Sequence, residues 1–376
     1  MKSSELKEID VGLTRELLSP VAKKRLNLLI LFFGALLSVL GISIGVLLYK
    51  GIGIWGVNQP VSWGFAIINL VWWIGIGHAG TFISAVLLLT RQEWRNSINR
   101  VAEAMTIVAL LCAGLFPLLH LGRPWFFYWL FPYPDTMNLY PQFRSPLAWD
   151  VFAVLIYTLV SLIFLYLGMV PDWAIYRTQT RPKWLKKLMK FLTFGWNFNI
   201  SQWLIFERTM FFLAGFATVL VISVHSIISF DFAVGNVTGW HSTIFPPYFV
   251  VGAVFSGFAM ILCLLLPLRK YLHLRKFITD DHIDKCALMM LYSGFVMIFF
   301  YLLEFFFMGI AHNEHEQFLL MERAVGEHAL AFWGMIFFNC LFPLTLIHEK
   351  WRHHKIWLFI VSLGVLIGMW FERYVI

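Results

Sequence analysis

The sequence predicts an all-α integral membrane protein with about nine transmembrane helices, on three observations. Of its 376 residues, 60% are hydrophobic and only 13% are charged, whereas soluble domains average near half apolar and a quarter charged. Nine segments reach the roughly 20 mostly apolar residues that a helix needs to cross a bilayer. Lipid offers no partner to an unpaired backbone group, so each of these segments is expected to be helical.

The predicted spans form an N-terminal helix followed by two blocks of four helices. We expect residues 1–60 to hold a cytoplasmic tail, the first helix and an outer loop, 61–230 a first four-helix bundle with the functional site, and 231–376 an outer loop with the second bundle. Glycine-rich runs, GIGHAGTFISA and VGAVFSGFAM, lie in the first helix of each block. Parallel repeats would explain them, although glycine is also common wherever membrane helices pack closely. The nine spans are approximately residues 26–49, 61–89, 101–122, 147–170, 205–230, 245–268, 284–310, 329–347 and 355–375.

Basic residues give the orientation. Of 29 Lys and Arg residues, 23 lie in the N-terminal tail and every second connection, and 5 lie on the opposite side. The positive-inside rule therefore places the N-terminus in the cytoplasm of a bacterial cell whose inner membrane holds the chain. Topology also explains the net charge of +8 better than nucleic-acid binding does, because the basic residues only punctuate apolar runs.

The stretch from Leu118 to Asp150 concentrates polar chemistry on the predicted outer side. His120 closes the third span and Asp150 opens the fourth. A neutral histidine beside a carboxylate can take a proton from a hydroxyl group, which suits a quinol headgroup. A His–Asp pair that merely ties two helix ends together is an equally good interpretation. Arg123 and Arg144 make this outer region more polar. Each could contact the quinol, or could instead form a loop salt bridge or anchor the chain at the membrane interface.

Other ionisable residues lie inside the predicted spans, where they are costly to keep without a task or a partner. We interpret five of them as candidates for a proton path: His78, Glu103, His225, Asp231 and Glu304. His78, within GIGHAG, could belong to a polar path or could be a packing histidine whose hydrogen bonds are satisfied. The sequence favours the two interpretations about equally. Glu372 and Arg373 are adjacent opposite charges near the end of the last span, which favours local pairing or snorkelling toward the interface.

The sequence predicts no metal centre in this chain. Its four cysteines stand far apart, and none forms a CxxC or CxxCH pattern, so no iron–sulfur cluster or c-type haem is expected. His120 and His225 could ligate a b-type haem from two helices. That use would remove His120 from its pairing with Asp150, and we expect no haem.

Several long blocks resemble a known family of membrane proteins. They include FPLLHLGRPWFFYWLFPYP, PQFRSPLAWDVFAV, GWHSTIFPPYFVVGAVFSGFAM and GMWFERYVI. These blocks are similar to the NrfD/PsrC-like family of membrane quinol-site subunits, and within it to the ActC-type subunits of bacterial alternative complex III. The resemblance covers nearly the whole chain from Trp55 onward. The HAGT, HLGRPW and GWHSTIFPPYF blocks look more like ActC than like its sister subunit, ActF.

The resemblance implies a subunit, inactive alone, of a respiratory quinol:cytochrome c (or equivalent acceptor) oxidoreductase. It implies oxidation of menaquinol or ubiquinol near the periplasmic face, with His120 and Asp150 on the family's quinol-site positions. The implied partners are an iron–sulfur protein, multihaem cytochromes c and an ActF-like membrane subunit. Proton translocation through the polar residues is also implied. The family normally continues into a tenth helix, and this sequence stops before it.

Two other functions fit the same pattern. A secondary transporter would also have repeats and intramembrane charges, but discontinuous helices with central charges would favour it, and here the charges cluster near helix ends. The chain could instead be only the membrane anchor of another molybdopterin or iron–sulfur oxidoreductase.

Overall fold

A computed structural model gives the fold, and all regular structure in the part of the chain that it describes is helical. Arg144, one of the predicted quinol contacts, lies outside the described residues. The described ranges are 20–57, 64–130, 146–179, 182–235, 237–240, 242–272, 274–310 and 313–376.

Nine helices of the described ranges are long and apolar enough to cross a membrane, which confirms the predicted fold class. Short 3₁₀ turns lie at Ile52–Trp55, Pro124–Leu130, Leu274–Lys276 and Thr345–Ile347. The α-helices are α1 (Pro20–Lys50), α2 (Phe65–Leu89), α3 (Arg95–His120), α4 (Pro146–Gln179), α5 (Lys183–Leu192), α6 (Ile200–Ala233), α7 (Phe245–Tyr271), α8 (Asp280–Ile310), α9 (Glu314–Val325), α10 (Ala329–Ile336), α11 (Phe342–Leu344), α12 (Glu349–His353) and α13 (Lys355–Val375).

Several helices extend beyond the predicted spans. α3 begins at Arg95 rather than near 101, and α4 continues to Gln179 rather than ending near 170. Hydropathy marks only the part of a helix that crosses the hydrocarbon core, whereas the backbone hydrogen bonds continue into the polar zone beyond it. The predicted bounds were therefore too short at these ends.

Helix α5 lies in a connection where no helix was predicted. Its sequence, KWLKKLMKFL, places exposed Trp184 and Phe191 among four lysines. A helix with this pattern lies along a membrane surface, with its apolar side in the acyl region and its lysines toward anionic headgroups. Tyr166 of α4 anchors the helix by donating a 2.5 Å hydrogen bond to the carbonyl of Leu192.

Helix α2 lies at the centre of the molecule. In its most hydrophobic 18-residue stretch, 72% of the residues are buried, compared with 6% for the peripheral α1. Small residues permit this burial. A Cβ atom at Gly80 would collide with the backbone of Ala102 on α3, and a Cβ atom at Gly257 on α7 would collide with Ala79. Close backbone approach at glycine is how membrane helices pack in the absence of a hydrophobic driving force between them.

The second half of the chain packs onto α2 through α7. Helix α10 is interrupted by a π-turn at Phe337–Leu341 before α11 begins. One hydrophobic cluster runs from Ile74 on α2 through Phe249 on α7 to Val361 on α13, so the two halves share a core. The end of the first bundle that holds the C-terminus of α3, the N-terminus of α4 and the C-terminus of α6 is called the His120 end below. The opposite end is called the Arg100 end.

Candidate functional site

His120 is the last residue of α3 and is partly buried. The helix stops here because Gly122 adopts φ 68°, in the left-handed region, where glycine has no steric penalty. A Cβ atom on Gly122 would lie 3.1 Å from Ile52, so the 3₁₀ turn after α1 packs closely on this corner. That packing brings the Trp55 ring over His120, with centroids 6.5 Å apart and planes at 28°. Arg123 follows and is exposed.

Asp150 and Asp231 meet at the His120 end. Asp150 lies near the start of α4 and Asp231 near the end of α6, and their carboxyl groups share a hydrogen bond. Two carboxyl groups can hydrogen-bond to each other only when one of them carries a proton, and such a pair can accept a second proton. The Oδ1 atoms of Asp150 and Asp231 are buried and receive no hydrogen bond from a donor group among the described residues. A hydroxyl donor would satisfy either atom. Direct contact between His120 and Asp150 stays a prediction.

His78 and His225 meet deeper in the molecule. Both side chains are fully buried, their Nδ1 atoms are hydrogen-bonded to each other, and their ring centroids are 4.7 Å apart. One Nδ1 must donate and the other accept, so a proton is shared between α2 and α6. The Nε2 atom of each ring is buried without a hydrogen-bond partner. His225 thus lies farther from the helix end than the sequence suggested.

A group of buried hydroxyls continues from the histidine pair. The Tyr157 ring on α4 lies edge-on to His78 at 4.2 Å, and its hydroxyl donates to the Gly77 carbonyl at 3.1 Å. The Thr106 hydroxyl donates to the same carbonyl at 2.8 Å, and the Thr81 hydroxyl donates to Ser161 at 3.2 Å. Hydroxyl groups both donate and accept, so such a group can pass a proton by reorienting.

Glu103 lies one helical turn further toward the Arg100 end. Its side chain is 1% exposed and accepts a 2.7 Å hydrogen bond from the Ser84 hydroxyl. Arg100 binds its other oxygen at 3.2 Å, and Arg95 lies 3.7 Å away. Glu103 and Thr106 are three residues apart on α3, as Thr81 and Ser84 are on α2, so the carboxylate is on the same helix faces as the hydroxyls.

A cavity opens beside Glu103 at the Arg100 end. Its volume is about 780 Å³, and Arg95, Asn99 and Arg100 line it together with Glu207 and Arg208 of α6. A polar space of this size admits many water molecules. We call the line from this cavity through Glu103 and the hydroxyls to the histidine pair the polar track. The two aspartates lie beyond it, at the His120 end.

Glu304 lies apart from the polar track, in the second half of the chain. Its carboxylate binds Arg323 of α9 at 3.1 Å, and the two side chains are 11% and 6% exposed. This partner could not be predicted from the sequence, because α9 lies in a connection where no helix was expected.

Glu372 and Arg373 form an ion pair, as expected, but not at the interface. Their side chains are 0% and 4% exposed. Tyr301 donates a hydrogen bond to Glu372 and accepts one of 2.8 Å from Asn339, while Arg373 lies 4.4 Å above the Phe249 ring. Snorkelling was the wrong interpretation, because α7, α8 and the π-turn enclose the end of α13.

Of the five candidates for a proton path, the structure places His78, His225 and Glu103 on the polar track, and Asp231 beyond it beside Asp150. The hydroxyls between them were not expected, since serine, threonine and tyrosine carry no distinctive signal in a membrane helix. Among the described residues, no group of three or more His, Cys, Asp or Glu side chains is arranged to hold a metal ion. The predicted absence of haem and iron–sulfur clusters stays a prediction.

Comparison with known proteins gives a family match over most of the chain. The family described as "Polysulphide reductase, NrfD" matches residues 54–376. A putative dimethyl sulfoxide reductase membrane subunit from Halobacterium salinarum is 25% identical over 232 residues, covering 58% of this chain and 49% of that protein. A selenate reductase subunit from Mesobacillus selenatarsenatis is 25% identical over 365 residues, covering 94% of this chain and 81% of that protein. The chain therefore spans about half the length of the first relative and about four fifths of the second.

Proposed function

Because this chain belongs to the polysulphide reductase NrfD family, we propose that it is the quinol-oxidising membrane subunit of a respiratory oxidoreductase. It takes electrons from menaquinol or ubiquinol at the His120 end, which the distribution of basic residues predicts to face the periplasm. The finer proposal is an alternative complex III subunit of the ActC type. It would work beside an ActF-like subunit and pass electrons to an iron–sulfur protein and haem c subunits.

The observation that carries this proposal is the pair of buried carboxyl groups at the His120 end. Asp150 and Asp231 lie against each other, and one buried oxygen of each receives no hydrogen bond from a donor group in the described part of the chain. An unsatisfied buried acceptor costs roughly 1–3 kcal/mol, so the site favours a ligand that brings a hydroxyl group. A quinol brings two, on a flat apolar ring that suits the aromatic Trp55 and the helix ends around it.

Oxidation of one quinol removes two electrons and two protons and leaves the quinone. The aspartate pair takes one proton, and His120 takes the other as a general base. The two electrons would leave to an acceptor in a partner protein, for which the family resemblance implies an iron–sulfur cluster. Arg123 and Arg144 are proposed to surround the mouth of the site, where positive charge stabilises an anionic quinol oxygen as the proton departs.

The polar track supports proton translocation as a second part of the function. It extends from a wide polar cavity at the Arg100 end to the histidine pair. Along it, the Ser84 hydroxyl donates to Glu103 at 2.7 Å, the Thr81 hydroxyl donates to Thr106 at 3.3 Å, and the Thr106 hydroxyl donates to the Gly77 carbonyl at 2.8 Å. His78 and His225 each have a buried ring nitrogen that is free to exchange a proton. Protons taken up at the Arg100 end would reach Asp150 and Asp231 along this line, in addition to those released by quinol.

The Asp150→Asn change tests the site in the purified complex. Asparagine keeps the shape of the side chain but cannot accept a proton, and positioned acid–base groups typically contribute about 10²–10⁴-fold to rate. We therefore expect an assembled complex whose quinol oxidation is at least about a hundredfold slower. The matched control is Asp281→Asn, which removes an exposed carboxylate paired with Lys285 on α8 and should oxidise quinol normally.

The chain as a membrane anchor alone is the alternative, and the names of the two relatives fit it as well. An anchor has no use for a buried proton acceptor. Under that alternative, Asp150→Asn and His120→Gln would leave turnover unchanged in an assembled complex. That result would remove the quinol site from this chain and assign it to a partner.

A further inference from the structure

A second cleft lies at the Arg100 end of the molecule, between the C-terminus of α7 and the N-terminus of α13. Its volume is about 300 Å³. Four cationic side chains line it, Arg269, Lys270, Arg275 and Lys355, and no acidic side chain does within the described part of the chain. Neither the polar track nor the aspartate pair reaches this cleft.

Most of the positive charge in the cleft has no acidic partner among the described residues. Asp280 binds both Arg269, at 3.0 Å, and Lys355, at 2.7 Å, and so offsets one positive charge. It also fixes the two cations on opposite walls of the cleft. Arg269 is only 11% exposed, and its Nε atom is buried without a hydrogen-bond partner in the part of the chain that the structure describes. A buried guanidinium N–H without an acceptor favours an anionic ligand with several oxygens.

Apolar side chains continue the cleft toward the membrane. Leu266 and Phe359 line it, and Ile356 and Tyr271 stand at its edge with 69% and 67% of their surfaces exposed. Both α7 and α13 are membrane-spanning helices, so this edge lies at the level where headgroups give way to acyl chains. Tyrosine is enriched at that level.

We propose that this cleft binds an anionic phospholipid of the leaflet at the Arg100 end, as phosphatidylglycerol or cardiolipin would be. The phosphodiester lies among Arg269, Lys270 and Arg275, and the acyl chains run along Ile356 and Phe359. Basic pockets between membrane helices bind such headgroups. A cleft of this volume holds a headgroup, while the chains stay outside on the helix surfaces. The positive-inside count places this face in the cytoplasm, where anionic lipid attracts basic residues.

The test compares two double variants of the intact purified complex. Lys270→Gln/Arg275→Gln removes two cations that line the cleft. Lys276→Gln/Lys350→Gln removes two exposed cations at the same end that do not line it. The overall change in charge is the same, so unspecific attraction to anionic membranes falls equally in both. Exposed Lys→Gln and Arg→Gln changes leave the core untouched, and both variants should assemble.

The complexes are delipidated in detergent and titrated separately with phosphatidylglycerol, cardiolipin, phosphatidylethanolamine and inorganic phosphate, and bound lipid is counted by native mass spectrometry. Each basic residue contributes about 1 kcal/mol to anionic lipid binding, so the cleft variant should bind phosphatidylglycerol or cardiolipin roughly tenfold to thirtyfold more weakly than the control.

Four results would overturn the proposal. The two variants could lose affinity for anionic lipid equally, which would mean that the lipid binds only through unspecific charge attraction. Phosphatidylethanolamine could bind as well as phosphatidylglycerol. Millimolar inorganic phosphate could displace the lipid completely and stabilise the complex alone, which would make the site one for a free anion. Finally, an acidic segment of another protein could be found in the cleft of the lipid-free complex. The cleft would then be a binding site for that protein and not for lipid.

Discussion

At the scale of single residues, the chain separates two uses of buried carboxylates. Asp150 and Asp231 are hydrogen-bonded to each other. Glu103 and Glu304 are each held by arginine. A buried carboxylate bound to arginine is a poor proton acceptor unless the pair can open. Glu103 differs from Glu304 because it lies beside a wide polar cavity and one helical turn from the hydroxyls of the polar track. Water in the cavity and these hydroxyls could exchange a proton with Glu103.

We predict that Glu103→Gln and Glu304→Gln have different effects in proteoliposomes. Glu103→Gln should leave quinol oxidation in place and lower any proton yield beyond the protons released by quinol. Glu304→Gln should leave the proton yield per electron unchanged. Glu304→Gln strands the buried Arg323, and breaking a buried ion pair typically costs about 3–5 kcal/mol, so it should lower the Tm of the complex. Glu103→Gln should lower the Tm less, because Arg100 is partly exposed and keeps its ion pair with Asp172.

The proton yield per electron and the Tm are measured on the same preparations. The two values together distinguish a residue on the proton path from a residue that only stabilises the fold. An equal fall in proton yield for the two variants would place Glu304 on the path. If Glu103→Gln stopped electron transfer as completely as Asp150→Asn, Glu103 would belong to the quinol site or its support.

At the scale of helices, α2 and α3 are the elements whose spacing sets the polar track. The backbone N–H of Thr81 donates to the Thr106 hydroxyl at 2.8 Å, a distance that only closely approaching backbones permit. Gly80 permits that approach, because any Cβ atom there would meet the Ala102 carbonyl and the Thr106 hydroxyl. The track therefore depends on a residue that carries no chemistry itself.

Gly80→Ala tests this dependence, with Gly114→Ala on α3 as its control. A Cβ atom on Gly114 meets nothing within 4 Å, so that change should be neutral or slightly stabilising. Gly80→Ala should lower stability by about 1–3 kcal/mol through overpacking. It should also reduce the proton yield per electron more than the rate of quinol oxidation. Thermal unfolding of the purified complex and the proteoliposome assay measure the two effects. A Gly80→Ala complex with an unchanged Tm would show that α2 and α3 are not in the contact described.

The sequence predicted the helices better than it predicted what lies between them. The spans were predictable because hydrocarbon thickness requires a long apolar run for each crossing. The α5 and α9 helices were missed because each is short and polar enough to look like a loop. Membrane surface and tertiary contacts, rather than length, stabilise them. Glu372 was misjudged because its position near a helix end says nothing about whether other helices cover that end.

The candidate site was predictable in its residue types and not in its pairings. His78, His225, Glu103 and Asp231 stood out because ionisable groups are rare in membrane helices. Their partners depend on the rotation of each helix about its axis, which glycine contacts between helices decide. The pairing of Asp231 with Asp150, of His78 with His225 and of Glu304 with Arg323 therefore emerged only in the fold.

At the scale of the whole molecule, the polar groups are arranged along one direction. The aspartate pair lies at the His120 end, the histidine pair lies deeper, and Glu103 with its cavity lies at the Arg100 end. The second half of the chain supplies α7 and α13, which cover α2, and carries its own buried ion pairs. The molecule is therefore suited to coupling chemistry at one face to proton uptake at the other, provided that quinol binds at the His120 end.

Photolabelling of the intact complex with an azido-quinone tests that condition most directly. After illumination, the labelled peptides are identified by mass spectrometry, with and without excess quinol as competitor. The label should map to the segments around His120, Asp150 and Asp231, should decrease with added quinol, and should be weaker in Asp150→Asn than in Asp281→Asn. Competed label confined to a partner protein, or to helix surfaces away from these three segments, would contradict the assignment of the quinol site to this chain.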